Sequence, residues 1–396
     1  MPDRREPIEL RLVENISDLS ATEWDQHLHG KDTPPGSPFL SYAFLNALER
    51  SNSATRETGW LPRHMIMQDD KGTFLAASPL YLKSHSHGEY VFDHNWAHAY
   101  EQGGGQYYPK LQCAVPFSPV TGPRLLVPAD AIDRKFRLQI LAKGLIEVTQ
   151  KLGVSSLHIT FCTEEEAAFL ESCGFLIRHD HQYHWKNHDY GSFDNFLTEL
   201  SSRKRKNIRK ERRALRDQGI TTHALTGEDI SPEHWDAFYR FYVDTYDRKW
   251  GYPYLTREFF DQLSESMADQ TVLILSYLDG KPIAGAINFY DNNALYGRNW
   301  GCVADHKFLH FETCYYAAMD FAIEYGLKRV EAGTGGHHKL QRGYVPHRTY
   351  SAHWMENKNF RDAVARFLEQ ERNLAAKEAD TLQQFTPFRN DPGERL

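Results

Sequence analysis

A chain of 396 residues, 41% hydrophobic and 25% charged, can hold two or three ordinary domains and is too apolar to be disordered. Its formal net charge of −7 conceals a local reversal, because residues 203–216 carry nine basic side chains and one acid, a net +8 that leaves −15 for the remainder. A protein built to coat nucleic acid would be basic over a whole face, and five widely spaced cysteines without a C-x-x-C pair give no sign of a disulfide framework or a cysteine zinc site. The leading MPDRREPIEL has no apolar leader core, and the longest apolar runs, such as TVLILSYL, are strand-sized. The expectation is a soluble, reduced, cytoplasmic protein without a membrane span.

In chain order, the first half opens with a strand, ELRLVENI, and two helices, SATEWDQHL and SYAFLNALERS. A hairpin follows, HMIMQDDKGTFLAASPLYLKSH, with D-D-K-G as its turn. Next comes a long irregular aromatic stretch, DHNWAHAYEQGGGQYYPKLQCAVPFSPVTGPRLLV, then a helix, DAIDRKFRLQILAKGLIEVTQKLG, with apolar residues at helical spacing and a glycine stop. A strand, SSLHITF, a short helix, EEEAAFLESCG, and a strand around HQYHWKN close this half. The second half puts the basic segment first, then a strand, ITTHAL, two helices, EHWDAFYRFYVDTYDRKW and TREFFDQLSESMA, and a hairpin, TVLILSYLDGKPIAGAINFYD. The strand NALYGRNWG, the helix HFETCYYAAMDFAIEYG, the strand KRVEAG, a glycine-rich loop and the strand RTYSAHWM complete it. Both halves thus read strand, two helices, three or four antiparallel strands, helix, strand, helix or loop, strand. That order is the one of the GNAT fold, a mixed sheet split by a central helix. The expected architecture is α/β: GNAT-like domains at 1–188 and 189–358, with a helical tail at 359–396.

The stretches LYGRNWG, LHFETCYYAAMDFAIEYGL and EAGTGGHHKLQRGYVPHRTYSAHW resemble the FemAB-like branch of the GNAT superfamily. The resemblance extends through SPFLSYAFLNALE, FDHNWAHAYEQGGGQYYPKLQ, PFSPVTGPRLL, SSRKRKNIRKERR and DRKWGYPYLT, from about residue 38 to 370. It implies an amide-forming N-acyltransferase, since the Fem peptidyltransferases that give the branch its name move an amino acid from aminoacyl-tRNA onto a peptidoglycan precursor. An aminoacyl-tRNA or an acyl-coenzyme A would then be a co-substrate with no tightly bound cofactor, and the acceptor a small-molecule or peptide amine. Relatives carry Gln and Glu ahead of the His-Lys pair in the loop after KRVEAG, whereas this chain has Gly335 and His337 there. A base drawn from that Glu elsewhere would have to be another group here.

Acyl transfer to an amine needs a base, donors for the developing oxyanion and a grip on the acyl carrier. In GNAT folds coenzyme A lays its pyrophosphate on a glycine-rich turn at the start of the central helix. Neither VADHKFLHFET, with no glycine after Gly301, nor LVPADAIDRKF offers such a turn. His310 and Glu312 fall in the first turn of the second central helix, where a Glu is favoured by the helix dipole and could equally be a catalytic base. Glu331 closes the strand KRVEAG beside the same opening, as a salt-bridge partner or a third catalytic candidate. In GTGGHHKLQR, three glycines precede His338, Lys339 and Arg342, a pattern suited to capturing an anion on backbone N–H groups. Arg298 and Trp300 alternate on the strand leading there and would share a face.

The first-half segment FDHNWAHAYEQGGGQYYPK supplies Asp93, His94, Trp96, Tyr107, Tyr108 and Lys110 as candidate substrate ligands, because so long an irregular aromatic stretch is uncommon unless it binds something. No metal is expected: His94 and His98 would share a face only on a helix, and H-E-x-x-H is absent. No G-x-S-x-G nucleophile context occurs, and Cys314 lies in an apolar helix as a buried structural thiol would.

On a helical wheel the basic segment resolves into two faces. Phe193, Phe196, Leu197, Leu200, Ile208 and Leu215 form one stripe, and Arg203, Arg205, Lys206, Arg209, Lys210, Arg212 and Arg213 fill the solvated side, open to tRNA phosphates if the donor is charged tRNA. Lys204, Asn207 and Glu211 fall inside the stripe, which predicts that they line a substrate cleft or a polar network. Two further readings stand beside the transferase: a non-catalytic tandem module that binds a cell-wall or small anionic ligand, and an ordinary acyl-coenzyme A-dependent N-acetyltransferase.

Overall fold

The computed structural model describes residues 7–29, 36–248, 251–336, 338–383 and 386–389. They form two compact units, one of residues 1–180, 254–259 and 349–375, the other of residues 181–253, 260–348 and 376–396. Two of the five points at which the chain passes between them fall within the strands Leu176–Lys186 and Val345–Met355. Among the described residues no helix is long and apolar enough to cross a membrane.

In the first unit, Ile8–Val13, His64–Asp69 and Phe74–Ser78 make a three-stranded antiparallel sheet. Its hairpin turns where D-D-K-G predicted: Asp69 Oδ1 accepts from the N–H groups of Lys71 and Thr73, and Gly72 sits at φ +80°. A larger sheet runs in the order Trp60–Pro62, Leu80–Lys83, Lys110–Cys113, Ser156–Cys162 and the later part of Val345–Met355. The helix Arg134–Leu152 packs Leu138, Leu141, Ala142 and Leu145 into one core with Met65, Met67, Leu111, Leu157 and Ile159. Gly144 permits this fit, since a Cβ there would stand 2.2 Å from Leu10. The aromatic stretch after the hairpin is not irregular throughout. His94–Gln102 is helical, because Trp96 and Ala97 give it a buried face, and it stops at Gly103.

The second unit carries the strand order Leu176–Lys186, Arg329–Glu331, Ala294–Cys302, Lys281–Tyr290, Thr271–Leu278 and Thr221–Thr226. Pairing is antiparallel except between Ala294–Cys302 and Arg329–Glu331. The run Thr271–Ser276 is buried on both faces, so it reads as unbroken apolar sequence rather than as alternation. A central helix is built from Leu309–Phe311, a π-helical turn Glu312–Tyr316 and Ala317–Glu324, and its Tyr315, Tyr316, Ala318, Met319 and Phe321 enter the core. The stripe expected to run from Phe193 to Leu215 is interrupted. Phe193–Glu199 and Ser202–Arg216 are separate helices, because Leu200 is extended and bridges to Phe388.

Candidate functional site

In the second unit the strand Ala294–Cys302 slips register against Lys281–Tyr290, so Ile287 stands opposite both Arg298 and Asn299. Such a bulge bends a strand and re-aims its side chains, and the simple alternation expected to set Arg298 and Trp300 on one face does not run through it. Beyond the strand, Phe308 takes a left-handed backbone at φ +75° and starts the central helix. The N–H groups of Leu309, Phe311 and Glu312 already donate to the carbonyls of His306 and Phe308. The π turn that follows inserts an extra residue into the helical course, a device found often where a helix presents functional groups.

Around that turn the side chains converge. His310 packs against Trp300, Tyr315 and His338, with ring centroids at 5.0, 5.3 and 5.9 Å. The Tyr315 hydroxyl and His338 Nε2 are 2.9 Å apart. Arg342 lies 3.3 Å over the Phe311 ring, donates to the His338 carbonyl at 2.8 Å and reaches both oxygens of Glu211 at 2.9 Å. The Tyr316 hydroxyl donates to the same carboxylate. Glu211 thus joins a polar network, as its wheel position predicts. Lys204 is half-buried, and burial together with Arg203 and Arg342 lowers its pKa, while Asn207 is exposed to solvent.

The two carboxylates considered as bases are both committed to cations. Glu312, pushed up by burial and pulled down by Arg212, pairs with that guanidinium at 2.8 Å. Arg212 also holds Asp320 at 2.6 Å and lies over the Phe193 ring, so it is turned inward rather than belonging to the solvated face. The correction has a plain cause: an ionised, nearly buried Glu312 needs a cation close by. Glu331, raised by burial, is held by Arg329 at 2.8 Å, with His184 Nε2 at 3.7 Å.

The glycine-rich loop also differs from expectation. Lys339 is engaged by the loop's own carbonyls: its Nζ donates to Ala332 and Thr334 at 2.7 and 3.0 Å and lies 3.4 Å from the Gly333 carbonyl oxygen. Gly333, Gly335 and Gly336 all adopt positive φ, conformations open to glycine without strain. His337 lies outside the described residues, as do Lys249 and Trp250. Burial drops the Lys339 ammonium from 10.5 to about 8. The folded chain therefore holds that proton less tightly than the unfolded one. The penalty is complete below about pH 8 and is relieved as pH climbs towards 10.5. The stability of the wild type relative to Lys339→Met is expected to rise across that interval in urea titrations, and a flat difference would contradict the assignment.

In the first unit, five of the six predicted residues meet in a second buried cluster. Lys110 Nζ donates to Asp93 at 2.5 Å, Glu89 at 2.7 Å and Ser86 at 2.9 Å. The Tyr107 hydroxyl donates to Asp93 at 2.7 Å, and the Tyr108 hydroxyl meets Ser86 at 2.8 Å. Behind them His158 touches Tyr107 at 3.2 Å, Ser156 at 2.8 Å and, Nδ1 to Nδ1, His353 at 2.7 Å. Trp96 stacks on His158 and meets His353 edge-on. Burial, followed by Lys110, keeps His158 neutral down to about pH 3. His94 stands outside this cluster, exposed at the start of its helix.

Sequence reasoning missed Glu89, Lys83, His158, His353, Arg212, Tyr315 and Tyr316. Lys83, His158, His353, Tyr315 and Tyr316 sit in runs that read as ordinary strand or apolar helix, where a polar residue was the available signal, whereas Glu89 lies in an irregular segment and Arg212 in a basic run assigned to the solvated face.

A family model, FemAB_like, described as peptidoglycan biosynthesis/recognition, matches residues 15–390. No curated protein matches the sequence at a significant level. Among solved structures, FemX superimposes with a TM-score of 0.54 at 13% identity, covering 88% of this chain and 98% of its own. A conserved protein of unknown function from Bacteroides thetaiotaomicron gives 0.53 at 12% identity, covering 87% and 99%. The C-terminal domain of a protein provisionally described as a lysylphosphatidylglycerol synthetase, from Agrobacterium fabrum, gives 0.52 at 11%, covering 88% and 95%. At such identities the likeness is one of fold, and the fold is the tandem GNAT-like one that the element order implied.

Proposed function

This chain belongs to the FemAB-like family, and on that premise we propose that it is an amide-forming N-acyltransferase that passes an aminoacyl group to an amine acceptor. The observation that carries the reading is the extent of the family match, residues 15–390, which takes in both units. The side chains around the π turn support it. His338 is the base: its imidazole takes a proton from the acceptor ammonium, and Tyr315 orients the ring through its hydroxyl. The freed amine attacks the acyl carbon, the C–N bond forms, the bond to the carrier breaks, and the departing oxygen takes up the second proton that the attacking nitrogen sheds. Glu312 and Glu331 hold Arg212 and Arg329 in place and are not the base.

Two features favour aminoacyl-tRNA over acyl-coenzyme A as the donor. The first N–H groups of the central helix donate within the chain, and Phe308 with its bulky side chain occupies the turn where a pyrophosphate would need glycine. Arg203, Lys206, Lys210 and Arg213 form an exposed cationic face on Ser202–Arg216 that suits acceptor-arm phosphates. Charged tRNA is a cytoplasmic species, and the proposal places the protein in that compartment.

The test supplies purified full-length protein with a panel of acyl-coenzyme A thioesters or with charged tRNA, in the presence of mixed amine acceptors, and follows amide product by mass spectrometry. The expected result is product from charged tRNA, falling steeply with salt. Release of free thiol with mild salt dependence would identify an ordinary acetyltransferase instead. Tight binding of an anionic ligand with no turnover from any donor would identify a binding module.

A further inference from the structure

The cluster in the first unit is more than a support for the surrounding strands. Lys110 spends its three ammonium hydrogens on Ser86, Glu89 and Asp93, and each carboxylate gives it one oxygen, Oε2 and Oδ2. The other two oxygens, Glu89 Oε1 and Asp93 Oδ1, are buried and receive no hydrogen bond, although each side chain is only 2% exposed. A buried acceptor left in this state is costly, and more so when it is charged, so each of these oxygens asks for a donor. Gln112, two residues beyond Lys110 on the same strand face, also leaves its Oε1 without a partner.

We propose that Glu89 and Asp93, braced from behind by Lys110, form a binding site for a primary ammonium group. The assignment stands apart from the transferase reading and does not depend on it. An ammonium brings three N–H donors, the kind of group that each open oxygen lacks, and the two carboxylates already converge on one ammonium, that of Lys110. Aromatic faces, which favour cations, flank the cluster: the Tyr107 and Tyr108 rings lie 5.7 and 5.9 Å from Lys110 Nζ.

Lys83 acts as the internal competitor. It is fully buried, yet its Nζ reaches Glu89 Oε1 only to 3.8 Å, donating instead to the His87 carbonyl at 3.3 Å and lying 3.7 Å over the Trp60 ring. Burial brings its pKa to about 7, opposed by Glu89 and lowered again by Lys110. Near neutrality, then, two carboxylates face one firmly held ammonium and a second that gives up its proton easily. An incoming ammonium takes over that second positive charge while Lys83 becomes neutral. The segment that closes the cluster, residues 84–93, has no regular structure and alternates buried Ser86, Glu89 and Asp93 with exposed His87 and Phe92, the latter 68% exposed. The two carboxylates are therefore carried by a loop whose other side chains reach the surface, whereas Lys110 is fixed on a buried strand.

The test is calorimetric titration of the full chain with ethylammonium chloride, with sodium acetate and acetamide as probes of the wrong charge and of none. Saturable ethylammonium binding is expected, with no binding of acetate or acetamide. Glu89→Gln is expected to weaken it at least tenfold, and Lys83→Met to strengthen it. The opposite signs matter, because loss of folding could imitate the first change but not the second. The assignment is overturned if ethylammonium gives no saturable heat, if acetamide binds equally well, if Glu89→Gln leaves affinity unchanged, or if Lys83→Met weakens it.

Discussion

Lys110→Met is expected to lower the stability of the first unit by about 3–5 kcal/mol, the cost of leaving buried carboxylates without their cation. The side chain is fully buried and, among the described residues, its ammonium alone lies within hydrogen-bonding distance of both Glu89 and Asp93. Burial alone would raise the Asp93 carboxyl, but Lys110 and then His158 overcome it and hold the group well below the ordinary carboxylate range. A depressed carboxyl contributes stability above its unfolded pKa and loses it as pH falls, so the wild-type advantage over the variant should shrink under acid. Combining Lys110→Met with Asp93→Asn should cost less than the two changes summed, since neighbours in one network are not additive. Urea unfolding followed by tryptophan fluorescence measures the wild type and the three variants, and a loss below about 1 kcal/mol for Lys110→Met would show that the network is solvated rather than sealed.

His338→Ala is expected to reduce amide-forming turnover by about 10²–10³-fold, within the range that a positioned general base supplies. Tyr315→Phe, which removes the hydroxyl 2.9 Å from Nε2, should cost about tenfold and shift the acid limb of the pH–rate profile rather than abolish it. The contrast is Glu312→Gln. Because Arg212 already engages that carboxylate, the change should show in the unfolding midpoint and leave turnover within a few-fold. Steady-state rates at several pH values, taken with whichever donor proves active, separate these outcomes. A Glu312→Gln enzyme as inactive as His338→Ala would return the role of base to the central helix.

Much of the fold could be read from the sequence because its signals are local. Alternation and D-D-K-G placed the hairpin after His64, and the 3.6-residue period with a glycine stop placed Arg134–Leu152. The helix at His94–Gln102 was hidden by its flanking glycines and histidines, since only Trp96 and Ala97 mark its buried face. For the sites, Asp93, Tyr107, Tyr108 and Lys110 came from one aromatic segment and do meet. Their partners His158 and His353 lie on strands far along the chain, where a single polar residue among apolar ones gives no direction. Glu211 was recognisable because a charge inside an apolar stripe has to be answered. Arg212 was not, because a wheel ranks angles and cannot foresee that a carboxylate on another helix will draw a long guanidinium across. That the loop's carbonyls engage Lys339 depends on backbone angles that composition does not specify.

The π turn at Glu312–Tyr316 has a consequence for how this site can change over evolutionary time. A turn of that kind holds one residue more than the α-helical course needs. Deleting one residue would leave a continuous helix with every N–H still donating, so the lesion would be mild for folding. It would nonetheless rotate the preceding residues by about 100° around the axis. His310 and Phe311 would swing off the faces of His338 and Arg342 while Tyr316 and the core beyond stayed where they are. The segment is therefore a register point at which a single codon separates a chain that folds from a chain whose site is assembled.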